Sequence, residues 1–421
     1  MVNLLSSTSR IEAPFIIAKI AGFTFGGYSR SERLHIDQTN AASAILTQYP
    51  NFMESLTINK INGSVNTYSL VLKYAIRAGE DPNLLERIFS KAKQDRRIIL
   101  SYGDASVPSF IYKEEEAIIS DIKSSFNVQT ATITYTLTCV SQALNMTAGS
   151  FSFGARQAKP SDVIKELLTS KEYGLADIFP GMLDMDRVNQ LGLIQSDDIV
   201  VRIEAKSLIN ILDYLNYLVT CMTSSSDSAQ SIVKTTRYAL AIYDDIYDSN
   251  HTGITGTYFR VTKITADSTM INSLDTYEIN VGFPGADAVM SFNIDDNQTY
   301  SILYDYSEKM DQSNYIYRIN NSGELENIYS PALSKSKDLM KTTESDRTWW
   351  TQVTQYPINA TLVIKGLLKP SILMTYVKLN VMFYGRKHLS SGYYVITRQT
   401  DVIDANGYKT TLKLLRVKGD E

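Results

Sequence analysis

Tyr376-Val377-Lys378-Leu379-Asn380-Val381-Met382-Phe383-Tyr384 puts Val377, Leu379, Val381 and Phe383 on one face and a mixed set on the other. A period of two is that of a half-buried antiparallel strand. Upstream, Ala360, Leu362 and Ile364 alternate into Gly366, and Pro370 follows. Downstream, Tyr393-Tyr394-Val395-Ile396-Thr397-Arg398 is entered through Ser391-Gly392 and leads to Asp404-Ala405-Asn406-Gly407. Thr410, Leu412, Leu414 and Arg416 then alternate again. Asn-Gly supplies two residues that tolerate positive φ, as a tight hairpin twisted like its strands requires. Residues 360–416 therefore read as a compact β-barrel or sandwich.

The composition bounds the rest. At 421 residues the chain exceeds one core's usual size and is expected to hold two or three domains. Hydrophobic residues at 44% and charged residues at 20% describe an ordinary globular protein. The net charge of −4 argues against a general nucleic-acid binder. That charge is uneven: residues 360–421 hold ten Lys/Arg against four Asp/Glu, or +6, which leaves −10 for the remainder. A basic end and an acidic remainder suit docking between copies, and equally a solvated strand face. Two cysteines, Cys139 and Cys221, make no disulfide framework and fit a reduced cytosolic origin. The start shows no basic region followed by a long apolar stretch, and Pro14–Phe25 is interrupted by Lys19 and too short to span a bilayer. No membrane insertion is expected. Tyr 27 against Trp 2 is a β-rich surface composition.

Taken in order, Phe15–Ile20 reads as a strand, and Asn40–Gln48 as a polar loop or arm. Leu56 and Ile58, the Asn62-Gly63 turn, and Tyr68, Leu70, Leu72 and Tyr74 make a hairpin. Asp81-Pro82 opens a helix with the stripe Leu84, Leu85, Ile88 and Phe89. Strands follow at 97–102, 110–112 and 130–140. Gly149–Gly154 is a connection, and Ser161 is expected to cap a helix carrying Val163, Ile164, Leu167 and Leu168. The run from Ser207 to about Met222 is the most apolar helix, and Lys206, Asp213 and Asn216 make it a core or interface helix rather than a membrane one. Strands resume at 238–243, 257–265, 277–281 and 289–294. Residues 305–348 read as a long connection before Trp349-Trp350.

The catalytic inventory is empty. His35, His251 and His388 are far apart with no metal-ligand spacing, and His388 belongs to a surface turn. There is no nucleophile elbow, P-loop or dinucleotide fingerprint. Asp244, Asp245 and Asp248 could bind a cation through carboxylate oxygens, but lack a calcium loop's alternation and read as a solvated turn. Glu114-Glu115-Glu116 could supply the paired carboxylates of a glycosidase, yet consecutive residues point different ways and read as a solvated run. Trp349-Trp350 could be a sugar platform, with packing the plainer role. No catalytic, metal or cofactor residue is assigned, and no enzyme is expected.

The order Ala-Thr-Leu-Val-Ile-Lys-Gly (360–366), a Pro, a β-run, Ser-Gly-Tyr-Tyr-Val-Ile (391–396), Asp401, Gly407-Tyr408, Thr410-Thr411 and Leu414-Leu415-Arg416 resembles a known closing barrel. It is similar to the end of baseplate hub proteins of contractile-tailed phages and related injection systems, including the hub part of type VI secretion spikes. The chain departs from that family where a second Gly often precedes the central strand; Leu373 and Met374 stand there.

The resemblance implies a mainly β fold with an α+β insertion: two tube-like antiparallel β-barrel domains plus a mixed middle domain. The expected division is 1–148 for the first barrel with one inserted helix, 149–346 for the α+β middle, which could thread back to complete the first barrel, and 347–421 for the second barrel. It implies a homotrimer whose six barrels surround a channel, joining a hexameric tail tube to a trimeric central spike beside other baseplate proteins, with DNA only as transiting cargo. Assembly in the host cytoplasm and residence in the virion's tail baseplate follow. The alternative is a carbohydrate-binding or glycoside-cleaving β-rich tail or adhesin protein, which a monomer with a cleft would favour.

Overall fold

The structure is a computed structural model that describes residues 2–3, 14–28, 52–77, 79, 81–92, 95–104, 111–173, 175–225, 236–245, 254, 256–265, 276–282, 289–296, 316–319, 325–328, 358–366 and 373–419. Trp349-Trp350, His35, His251, Asp248 and the segment Asn40–Gln48 lie outside them.

After the two-residue β1 (Val2–Asn3), one unit is built from β2 (Pro14–Ile20), β3 (Phe23–Tyr28), β4 (Met53–Ile61), β5 (Thr67–Ala75), β6 (Arg97–Asp104), β7 (Ile111–Asn127) and β8 (Thr132–Val140). The pairings run β3–β2–β6–β7–β8–β5–β4, all antiparallel. Phe52 N–H donates to the Gly26 carbonyl at 3.1 Å, so the order returns on itself. The β4–β5 hairpin turns at Asn62-Gly63, with Gly63 at φ +68 as the dipeptide implies. The short strand expected at 110–112 is instead the 17-residue β7, which bonds β6 with its first half and β8 with its second. Helix α1 (Leu84–Ala92) lays Leu85, Ile88 and Phe89 on this core, and the Asp81 carboxylate accepts the Asn83 N–H at its entrance.

The middle of the chain is α+β. The Gly149–Gly154 connection contains β9 (Phe151–Phe153), and β10 (Arg156–Ala158) precedes α2 (Pro160–Thr169). Ser161 does not cap α2: it lies inside the first turn, with Lys159 at the cap position. Its N–H and hydroxyl both bond the buried Asp198 carboxylate, at 2.9 and 2.5 Å, so a distant acid does the capping. Two short helices, α3 (Leu175–Ile178) and α4 (Met185–Gln190), follow. The helix expected from Ser207 begins later. β10 pairs with β11 (Val201–Ile203), β9 pairs with β12 (Lys206–Ile209), and only then does α5 (Ile211–Cys221) start. Asn210 sets that start by accepting the Asp213 N–H at 2.8 Å.

The second β-unit combines β13 (Thr236–Asp245), β14 (Gly256–Thr265), β15 (Thr276–Val281), β16 (Val289–Asp296), β19 (Ile358–Lys365), β20 (Tyr376–Phe383), β22 (Gly392–Asp404) and β23 (Gly407–Gly419). Within the expected connection 305–348, β17 (Ile316–Ile319) pairs with β18 (Leu325–Ile328), and β21 (Arg386–Lys387) folds back on β20. The ladder runs β16–β19–β23–β22–β20–β15. It is antiparallel except at β15–β20, and β1 adds to β15 in parallel. Strands from 276–296 and 358–419 thus share one sheet. The β22–β23 turn is centred on Ala405 and Asn406, one residue before the Asn-Gly pair, because the Asp404 carboxylate accepts the Asn406 N–H at 2.7 Å. Met374 takes φ +61 with its side chain buried, a left-handed backbone carried by a non-glycine residue.

The chain is mainly β, its large sheet mostly antiparallel, with α1 in the first unit and α2 to α5 in one inserted stretch. Two cores result. One fills the first unit and includes Ile403 and Tyr408 from the chain's end. The other joins the middle helices to the second unit. Cys139 and Cys221 are buried thiols, one in each. Among the described residues no helix is long and apolar enough to cross a membrane.

Candidate functional site

Among the described residues the two β-units meet along three backbone seams. β4 pairs with β22 over six residues, from Leu56 opposite Ile403 to Ile61 opposite Arg398. β7 pairs with β13 where Glu115 faces Asp245. The Asn62-Gly63 tip plugs into the second unit: Asn62 N–H donates to the Thr397 carbonyl at 3.0 Å and Gly63 N–H to the Leu240 carbonyl at 2.7 Å. Asn216 of α5 donates Nδ2 to the Gly63 carbonyl at 2.8 Å. A Cβ on Gly63 would sit 2.7 Å from Asn216 Oδ1, so the fit requires glycine.

Behind these seams lies a buried polar cluster drawn from both units. Leu56, Ile58 and Lys60 share the inward face of β4, and the Lys60 side chain is 0% exposed. Its Nζ reaches Glu115 Oε1 at 2.5 Å. Glu115 also accepts from the Tyr102 hydroxyl at 2.6 Å and the Tyr68 hydroxyl at 2.8 Å. Tyr68 lies 3.1 Å from Asp244 Oδ2, which accepts Asn66 Nδ2 at 2.7 Å. Asp244 Oδ1 accepts from Thr257 at 2.9 Å and from the Ser141 hydroxyl. On the β22 side, Asp401 accepts from Gln399 at 2.8 Å and from Thr410 at 2.5 Å.

Burial opposes charge on every member, and the partners decide the outcome. For Lys60 burial lowers the pKa, but Glu115, then Asp245, and Asp401 outweigh it and hold the ammonium above its ordinary value. For Glu115 burial pushes up, while Lys60 and the Lys60, Tyr102 and Tyr68 hydrogen bonds pull it below the usual carboxylate range. Asp244 goes the other way: burial and the Glu115 charge raise it despite bonds from Ser141, Asn66 and Thr257. Burial, then the carboxylates, raises Tyr68 and Tyr102, which remain protonated donors. The donors around Glu115 and Asp244 tie β4, β7 and β13 together, while β22 joins through its backbone pairing with β4 and the charge of Asp401 on Lys60.

Two expectations are corrected here. Glu114-Glu115-Glu116 is no solvated run: it lies in β7, where alternation turns Glu115 fully inward and leaves its neighbours half-buried. Asp244 and Asp245 form no solvated turn either; they end β13, which is covered on both faces. His388 is in an exposed turn as expected, its Nδ1 2.7 Å from the Ser390 hydroxyl. Lys60, Asn66 and Ser141 drew no notice in the sequence, and Asp401 only as a position of the closing run. A signal existed: Lys60, Glu115 and Asp401 each occupy the inward phase of an alternating strand.

The geometry defines a class: a two-unit β-protein whose buried ionic chemistry joins the units. No family model and no curated protein matches the chain. Several solved structures are similar to it. The tail protein from Neisseria meningitidis MC58 is 7% identical, with 96% of each chain covered and a TM-score of 0.48. The 43 kDa tail protein of prophage MuSo2 from Shewanella oneidensis is 10% identical, with 97% of this chain and 100% of that one covered and a TM-score of 0.47. An E. coli component of the type VI secretion system is 8% identical, with 87% and 74% covered and a TM-score of 0.45.

Proposed function

We propose that the chain is a structural baseplate hub subunit of a phage tail. The observation that carries this is the closing run 360–416, whose strand and turn order resembles the hub family's last barrel, set in a molecule with two β-units locked by a buried joint. A ring that adapts threefold to sixfold symmetry needs two similar units per subunit held at a fixed relation, and the Lys60–Glu115–Asp244 joint supplies rigidity at that point. In this reading residues 1–148 form one tube-like unit, and 347–421 form the second with strands contributed from the middle segment. Three copies make a pseudo-sixfold ring that joins the tail tube to the central spike and touches other baseplate proteins. DNA passes through its channel, and the ring assembles in the host cytoplasm before it resides in the virion. The role is structural, not catalytic.

Light scattering on the purified chain tests this, alone and mixed with tail components. A trimer, or a monomer that enters a threefold complex, is expected. A stable monomer that ignores every tail component overturns the reading, and oligosaccharide binding or cleavage would then favour the carbohydrate alternative.

A further inference from the structure

The β20–β21 hairpin ends in a tip that the rest of the chain does not explain. Phe383 pairs with Arg386 across a two-residue turn, Tyr384-Gly385, with φ of +49° and +77°. Such a turn needs positive φ at both central residues, which Asn-Gly adopts freely and a Tyr only under strain. Among the described residues nothing offsets that strain, because Tyr384 is fully exposed at 105%. Phe383 belongs to the apolar phase of its strand yet is 54% exposed, since the hairpin leaves the sheet there, and Leu389 is 88% exposed. Strain carried at an exposed aromatic apex is the mark of a surface that acts on something else. Arg386 and Lys387 at the tip are also exposed.

The charge balance indicates what it acts on. The tip belongs to the +6 end, and the other 359 residues carry −10. In that remainder Leu183 is 48% exposed beside α4, with Asp177 and Asp186 exposed near it in sequence. Met182 and Val188 are buried in the core beneath, so this face is firmly held. We propose that the Phe383–Leu389 hairpin docks on a second copy of this chain, its aromatic apex covering Leu183 while Arg386 meets Asp177 and Asp186. Tip and patch are both exposed within one copy, so the contact is between copies. It joins two different surfaces, and head-to-tail contacts of that kind close into rings when the rotation allows. The inference rests on the reading that the chain assembles with itself and names the surfaces that do it.

The test uses the full chain and sedimentation equilibrium at low and high salt. Tyr384→Asn makes the turn Asn-Gly, so it eases the backbone while removing the aromatic apex. It is expected to melt no lower than the wild type when unassembled, and to self-associate at least about tenfold more weakly. Arg386→Glu is expected to weaken association similarly, and adding Asp186→Lys to restore much of it. The proposal is overturned if both tip variants associate like the wild type while the wild type forms its ring; the assembly reading then survives. It is also overturned if the wild type stays monomeric throughout; the hub reading then falls only if that monomer also ignores every tail component. A third overturning result is that Tyr384→Asn loses binding to phosphatidylserine vesicles but keeps its self-association, which would make the tip a membrane anchor.

Discussion

Lys60 stands where the alternation of β4 calls for an apolar side chain, and the carboxylate of Glu115, helped by Asp245 and Asp401, makes that position tenable. Removing one partner of such a pair leaves an uncompensated buried charge. Lys60→Met is therefore expected to destabilise the chain by about 3–5 kcal/mol, and Lys60→Met with Glu115→Leu to recover most of the loss, measured by urea denaturation. The cluster also sets a pH response with opposed signs. Glu115 has its folded pKa depressed, so its contribution is present above the unfolded carboxylate value and lost as pH falls through the folded one. Asp244 has its folded pKa raised, so its contribution is fullest below the unfolded value and declines as pH rises through the folded one. Lys60, raised, contributes below its unfolded value and loses that as pH climbs through the higher folded one. Denaturation across about pH 2–8 should show Glu115→Gln flattening the acid-side loss and Asp244→Asn removing the decline above it.

Among the elements, Met374 weighs strain against packing. Met374→Gly relieves a left-handed backbone, worth about 1–2 kcal/mol, but removes a buried side chain worth about 1.5–3 kcal/mol. The net expectation is a loss of up to about 2 kcal/mol by thermal melting. Asn210→Ala should cost about 1 kcal/mol by removing the α5 cap. These positions also show what could be read in advance. Alternation gave β4, β5, β8 and β20 because each has one face committed to a core, and Gly63 marked its own turn. The start of α5 was not legible from Ser207, since a continuous apolar run carries no boundary and β12 forms by pairing with the distant Phe151–Phe153. Ser161 resembled a cap because nothing local announces Asp198. The polar joint was half legible: inward-phase charges were visible, but their mutual contact depends on bringing β4, β7, β13 and β22 together.

For the molecule as a whole, the joint makes the two cores interdependent. Ile403 and Tyr408 from the last hairpin sit in the first core, and the Gly63 tip sits against α5 and β13. Calorimetry of the wild type should show one transition, and Glu115→Ala should split it into two as the units uncouple. One more consequence concerns synthesis. Thr400 bonds Asn59 across 341 residues of sequence. At about 5–20 residues per second a ribosome needs roughly 20–70 s to make that partner after β4 has emerged. Throughout that interval β4 presents an open strand edge, with Lys60 inward and the Asp401 strand not yet made. The nascent chain therefore has a long period of exposure to misassembly, and its first unit can be finished only by a strand made 341 residues after β4.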